Sequence, residues 1–351
     1  MEGSVRRAAP DILFPYLIMS LPPPDSSTTF TSLKVSWRGL GAAALVPGLA
    51  GSWLGLLGPW HWFFDLCTHF RWQAFVVGGL ALLCALVWRR RMLMGAALLT
   101  LALNIWLFTS TPAPARPTAV DPGFKVRVVS LNVLTSNQDH AAVLSFLQQS
   151  DADVIFLMET DRTWKAALEP LLKTHSHHLI QPRDDNFGLA CFSRLPVEQM
   201  TLLSGETLVQ EPTPGHISGS IEVQLTVAGK AWTFLGVHPV PPMGADYHQA
   251  RNLQLQALAQ RIARANRPVL IAGDLNATPW SSGYRALLQG TTLQAAPDSW
   301  KPSWKTGTLL GIPIDQALTT PPLALLSRTI GPEVGSDHRA QILELAWAAG
   351  P

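Results

Sequence analysis

Three stretches without a charged side chain, residues 39–60, 72–88 and 92–108, constrain this chain more than any other feature. A helix crossing a bilayer needs about 20 apolar residues, with about 17 as the lower limit. The first stretch passes easily and the other two sit near that limit. Trp53, Trp60, Trp62, Trp72, Trp88 and Trp106 lie mostly near the ends, where indole rings anchor at the membrane interface. Asn104 is the one strongly polar side chain of the third stretch. Helices of a soluble core keep a polar face, and these have none. The sequence therefore predicts three transmembrane helices over residues 39–110.

Charge sets their orientation. Arg6, Arg7, Lys34 and Arg38 precede the first span, and Arg89, Arg90 and Arg91 separate the second from the third. Between the first two spans there is only Arg71, opposed by Asp65. The positive-inside rule puts the N-terminus and the arginine run in the cytoplasm. Three crossings then place everything after residue 110 on the periplasmic or outer face of a bacterial inner or plasma membrane. Residues 1–38 are expected to be a tail. Residues 111–123 (TPAPARPTAVDPG) form a proline-rich linker that favours an extended spacer. Residues 124–348 form the remaining domain.

That domain is not basic. Residues 1–123 hold 9 Lys+Arg and 5 Asp+Glu, which leaves 17 basic and 19 acidic groups for residues 124–351. Proteins that grip long nucleic acid draw most of their affinity from phosphate contacts and carry a basic face. A bulk nucleic-acid partner is thus disfavoured, though not removed. Cys67, Cys84 and Cys191 have no zinc-site spacing and form no disulfide framework.

Several buried-looking strands end on a residue with metal-binding or proton-transfer chemistry. Strands are expected over 124–131, ending at Asn132; 153–158, delivering Glu159; 231–237, delivering His238; and 268–272, delivering Asp274 and Asn276. Further strands are expected over 188–192, 218–227, 312–318 and 340–346, with Asp337 and His338 just before the last. Helices are expected over 140–149 and 246–265. Taken singly, each polar residue has a bland reading as a solvated strand end, a turn or a helix cap. Their repetition at strand ends is the informative feature.

The motifs SLNV (130–133), DVIFLMET (153–160), GVHP (236–239), GDLNATP (273–279), IDQAL (314–318) and GSDH (335–338) occur in this order. In them the chain resembles the endonuclease/exonuclease/phosphatase superfamily, over nearly all of residues 124–348. The resemblance implies an α/β fold, a four-layer α/β sandwich of two packed mixed sheets flanked by helices. It implies a divalent metal, Mg²⁺ or Mn²⁺, at the sheet rim. Position by position, Glu159, Asn132 and Asp337 match the metal-proximal residues. His238 matches a histidine at the scissile phosphate, and Asp274 and Asn276 match the pair that orients water and phosphate oxygens. His338 matches the terminal catalytic histidine and Asp315 its supporting acid.

The chemistry suits the residues. An anionic phosphate ester resists hydroxide and needs a Lewis acid, a positioned water and donors for the developing charge. Mg²⁺ takes oxygen ligands, often one or two carboxylates. Asp274 as general base with cationic His338, or His338 as base, are both compatible with the residues alone. Arg251, on the helix after His238, is a candidate phosphate contact. The histidines of HSHH (175–178) suit a solvated loop better than a metal site. Gln316 stands where many superfamily members have a histidine or aromatic residue, which bears on substrate preference. The expected function is a membrane-anchored phosphoesterase acting on a phosphate ester, a lipid-associated one being attractive from location alone. An extracytoplasmic nuclease and a catalytically silent binding module are the alternatives.

Overall fold

The computed structural model describes residues 36–110, 119–209 and 216–349. The expected tail, apart from its last three residues, and linker residues 111–118 lie outside the described residues. Helices α1 (Trp37–Leu54, extended by a 3₁₀ turn to Leu57), α3 (Arg71–Trp88) and α4 (Arg91–Thr109) are each long and apolar enough to cross a membrane. Polar groups tie α1 to α4. The Asn104 amide donates to Ser52 Oγ at 2.8 Å, and Trp53 Nε1 donates to Thr100 Oγ1 at 3.1 Å. Away from water, such groups are held by their interhelical partners. A short helix not foreseen in the sequence, α2 (Trp62–His69), fills the connection between α1 and α3.

Beyond the linker come β1 (Val120–Asn132), α5 (His140–Gln149), β2 (Val154–Met158), α6 (Arg162–Ala167), β3 (His177–Gln181), β4 (Leu189–Ser193) and β5 (Val197–Leu203). There follow α7 (Gly205–Leu208), β6 (Ser220–Val227), β7 (Lys230–Val237), α8 (Ala245–Ala263), β8 (Val269–Asp274) and α9 (Ser282–Leu288). The described chain closes with β9 (Gln294–Ala295), β10 (Asp315–Thr319), β11 (Leu323–Ile330) and β12 (Gln341–Ala348). Two six-stranded sheets result, ordered β11-β12-β1-β2-β4-β3 and β5-β6-β7-β8-β10-β9.

The sheets pack face to face with helices outside them, so the central strands are buried on both sides. In β1, Phe124, Val126 and Val128 face the opposite sheet, while Val129 and Leu131 face the α5–α6 layer. In β8, Leu270 and Ala272 face inward, while Val269 and Ile271 meet the α8–α9 layer. Burial on both faces explains why these strands read as continuous apolar runs. Each large apolar side chain so buried contributes about 1.5–3 kcal/mol. Gly236 lets the sheets approach closely, because a Cβ there would lie 2.4 Å from the Phe156 ring.

The topology brings functional residues to one edge. The β1–β2 and β7–β8 pairs are parallel, so the C-terminal ends of each pair lie together. Antiparallel β10 begins at Asp315 directly opposite Asp274. Antiparallel β12 begins at Gln341 opposite Ser130, just after Asp337 and His338.

The same edge rests on the helices. Phe108 of α4 stacks on Trp72 of α3 with centroids 4.5 Å apart and meets Trp280 at 5.4 Å. Trp72 also meets Trp300 at 5.3 Å. The Gln73 amide donates to the carbonyls of Leu309 and Gly311 at 3.2 and 2.9 Å. From α2, Asp65 reaches into the domain to pair with Arg251 at 2.5 Å, both side chains fully buried.

Candidate active site

Glu159 follows β2 directly and has φ +62°. Asn276, two residues beyond β8, has φ +47°. Left-handed backbone is uncommon for residues other than glycine, least so for asparagine, and tends to mark functional positions. At Asp274 the chain also needs its preceding glycine. Gly273 has φ +150°, and a Cβ there would lie 1.9 Å from the Val237 carbonyl oxygen.

Glu159 is held by two donors. Asn132 Nδ2 donates to its Oε1 at 2.8 Å, and the Thr135 N–H donates to its Oε2 at 3.2 Å. Asn132 Nδ2 also lies 3.3 Å from Asp274 Oδ2, which joins the two sheets across the rim. Ser336 Oγ donates to the Asn132 carbonyl at 2.7 Å and accepts from the His338 N–H at 3.0 Å. Thr135 escaped the sequence reading because hydroxyl residues near strand ends are common and carry no pattern, and Ser336, though part of the GSDH motif, was given no role there.

The centre of the rim is a line of buried charges. His338 Nδ1 lies 2.9 Å from Asp315 Oδ2. His338 Nε2 and His238 Nε2 each lie 3.6 Å from Asp274 Oδ2. Burial works against a charged His338, but the Asp315 and Asp274 carboxylates outweigh it and push its pKa up to about 10. Burial lowers the pKa of His238 and keeps it neutral. Burial raises that of Asp274, against the pull of His338. The ligand atoms of Asp274, Asp315 and His338 lie within 4.8 Å of one another, close enough for a cation. The Asp315–His338 hydrogen bond and the two-sided approach of the histidines to Asp274 describe a proton-handling cluster better than a ligand set.

Asp337 is different. Trp304 Nε1 donates to its Oδ2 at 2.8 Å, while its buried Oδ1 has no hydrogen-bond partner among the described residues. A carboxylate oxygen without a donor is an open ligand for a hard cation. Asn276 is oriented rather than free. Its N–H donates to Asp274 Oδ1 at 2.9 Å and its amide to the Pro239 carbonyl at 2.9 Å.

Arg251 departs from the expected phosphate contact. It is fully buried, with Nη1 donating to the Asn276 carbonyl at 2.9 Å and Nη2 to Asp65 Oδ2. Its role here is to hold the 276–282 loop against α2, and Asp65 Oδ1 completes that contact by accepting from Ser282 N and Oγ at 2.8 and 2.7 Å. Gln316 is buried and fastens its own loop, its amide donating to the carbonyls of Ser299 and Pro313. Of the HSHH histidines, His177 and His178 lie exposed on β3 and His175 meets the Ala152 carbonyl at 3.0 Å. Cys191 is buried in the core, where burial pushes its thiol pKa up and leaves it inert.

A model of the Endonuclease/Exonuclease/phosphatase family matches residues 129–338. A Bacteroides vulgatus endonuclease/exonuclease/phosphatase superposes with a TM-score of 0.53 at 18% identity, covering 64% of this chain and 99% of that one. TDP2 of D. rerio, humanized by 14 mutations, gives 0.52 at 17% identity, covering 63% and 98%. The D. rerio TDP2 complex with single strand DNA product gives 0.52 at 16% identity, with the same coverages. At these identities the likeness is one of fold. No curated protein matches the chain.

Proposed function

Because the chain belongs to the endonuclease/exonuclease/phosphatase family, we propose that its C-terminal domain hydrolyses a phosphate ester by water attack with the help of Mg²⁺ or Mn²⁺. The observation that carries this reading is the buried Asp315–His338–Asp274–His238 line at the rim where both sheets end. Glu159, Asn132 and Asp337 would hold the metal. All three offer oxygen, as a hard cation requires, and Asp337 Oδ1 accepts no hydrogen bond among the described residues, with His338 Nε2 4.0 Å away. Bound there, the metal would polarise a phosphate oxygen.

The protein groups divide the remaining work. Asp274 is the better base, since its Oδ2 faces both histidines and His338 is already protonated. His338, kept cationic by Asp315, stabilises charge on the phosphoryl oxygens as it develops. Neutral His238 donates a hydrogen bond to the same group, and Asn276 fixes Asp274 through its backbone N–H. The α1–α3 connection and the domain lie together, as three membrane crossings require. With the arginine distribution, this supports a domain on the outer face. The TDP2 complex with single strand DNA product keeps a nuclease as the second reading.

The test is hydrolysis of bis(p-nitrophenyl) phosphate and p-nitrophenyl phosphate by the full chain in detergent. Turnover should require Mg²⁺ or Mn²⁺, stop with EDTA, and fall by about 100-fold or more in Glu159→Ala and His338→Ala. A well-folded chain without turnover, or one indifferent to both substitutions, would leave the silent binding module standing.

A further inference from the structure

Among the described residues from 119 on, seven large apolar side chains are exposed, and five of them lie at the catalytic rim: Met243, Trp300, Leu309 and Leu310 on its loops and Tyr247 in the first turn of α8. Only Val120 and Leu326 lie elsewhere. Leu309 is 90% exposed and Leu310 53%. Such a concentration marks a contact surface.

Its occupant follows from its position. The tip of the 300–311 loop is fastened to Gln73, the third residue of α3, by the Leu309 and Gly311 carbonyls. Since α3 begins to cross at Arg71, that tip stands at the level where a bilayer's polar surface begins. The Trp72–Trp300 and Phe108–Trp280 contacts continue an interfacial aromatic layer from the helices onto the rim. The loop also carries Lys301 and Lys305, and Lys305 has no carboxylate partner among the described residues. Its Nζ lies 4.7 Å over the Trp304 ring. This is a surface for anionic headgroups above acyl chains.

The middle of the loop enters the site. Trp304 Nε1 bonds Asp337, the Lys305 N–H donates to the Asp337 carbonyl at 2.7 Å, and Trp304 forms a bridge with His338. Four residues, 305–308, thus separate Leu309 at the bilayer level from Trp304 at the proposed site. We propose that the substrate is an amphiphile held in the membrane, a lipid whose phosphate ester enters the rim across the 300–311 loop while its chains stay in the bilayer. Water adds across the P–O ester bond, leaving a phosphate and an alcohol, one of them still carrying the acyl chains. This inference rests on the proposed phosphoesterase activity.

The experiment uses the full chain reconstituted in phosphatidylcholine vesicles doped with about 10 mol% phosphatidic acid, phosphatidylglycerol or phosphatidylinositol. Each is compared with its deacylated, water-soluble counterpart. At least one bilayer-held ester should turn over about 100-fold faster than its soluble counterpart. The Leu309→Asp/Leu310→Asp variant should lose about 10-fold or more of that lipid turnover and keep bis(p-nitrophenyl) phosphate turnover within about twofold. Equal rates for soluble and bilayer-held esters, preference for a single-stranded oligonucleotide, or parallel loss of both activities would overturn it. Turnover of bis(p-nitrophenyl) phosphate with no lipid turnover sinks this inference and spares the phosphoesterase reading. No turnover of anything sinks both. A readout independent of activity is a nitroxide on Leu309→Cys, with the native cysteines replaced by serine. It should be more accessible to dissolved oxygen than to an aqueous nickel chelate, and the reverse order would place the loop in water.

Discussion

Replacing Asp65 by alanine tests whether the N-terminal apolar helices and the C-terminal domain form one structure. The substitution removes the carboxylate that Arg251 Nη2 meets at 2.5 Å and that Ser282 N and Oγ meet at 2.8 and 2.7 Å. Asp65 and Arg251 are both fully buried, so the orphaned guanidinium regains water only if α2 leaves its seat. Breaking a buried ion pair from one side costs about 3–5 kcal/mol. Arg251 retains the Asn276 carbonyl at 2.9 Å and Asn252 Oδ1 at 2.8 Å, which places the cost near about 3 kcal/mol. At about 1.4 kcal/mol per tenfold, α2 docking weakens by roughly a hundredfold. For a domain of this size the loss lowers the melting temperature by about 6–12 °C. Near-UV circular dichroism of the full chain in nanodiscs would measure it. The double variant Asp65→Leu/Arg251→Met, which removes both charges, should recover most of the loss. A shift below about 2 °C in Asp65→Ala, the size of a surface substitution, would refute the reasoning.

Two further outcomes follow from the rim. In EDTA, His338 is held protonated up to about 10 against an ordinary 6.5, because Asp315 and Asp274 outweigh burial. A raised folded-state pKa stabilises fully below 6.5 and is lost as pH rises through about 10. The melting difference between the wild-type chain and His338→Gln should therefore shrink across that window, and a constant difference would contradict the assignment. Gly273→Ala should abolish folding, because its Cβ meets the Val237 carbonyl at 1.9 Å with φ at +150°, whereas Gly290→Ala, with open space around it, should cost only about 1 kcal/mol. Comparable yields of folded protein from the two variants would contradict this.

Much of the sandwich was legible because its central strands are buried on both faces and end in polar residues. Asn132, Glu159, His238 and Asp274 stand where those runs stop, Asp315 where antiparallel β10 begins, and topology does the rest. The strands over 177–181, 197–203 and 323–330 were missed for the converse reason. They lie at sheet edges, so their apolar content is diluted by exposed polar positions such as His177, Glu198 and Thr329. Arg251 could not be read correctly from sequence at all. A lone arginine on a polar helix looks like a ligand-binding group, and its carboxylate partner lies 186 residues away in a connection noted only for its charge. Asp65 shows the limit of local reasoning, because its neighbours explain a helix and only the fold explains its burial.

The place of β12 between β11 and β1 has a consequence for how the chain matures. Val120 registers with Ala348, and Ser130 with Gln341, so the strand leaving the linker has its partner more than two hundred residues downstream. Contacts of such long range form slowly, because a large loop must close before any pairing energy is gained. The segment that closes this sheet is also the one just after His338. A nascent or truncated chain thus presents an open edge along β1 and an incomplete cluster at the rim, and the cluster is completed only when the closing strand is in place. Synthesis itself would then time when the proposed site can first form.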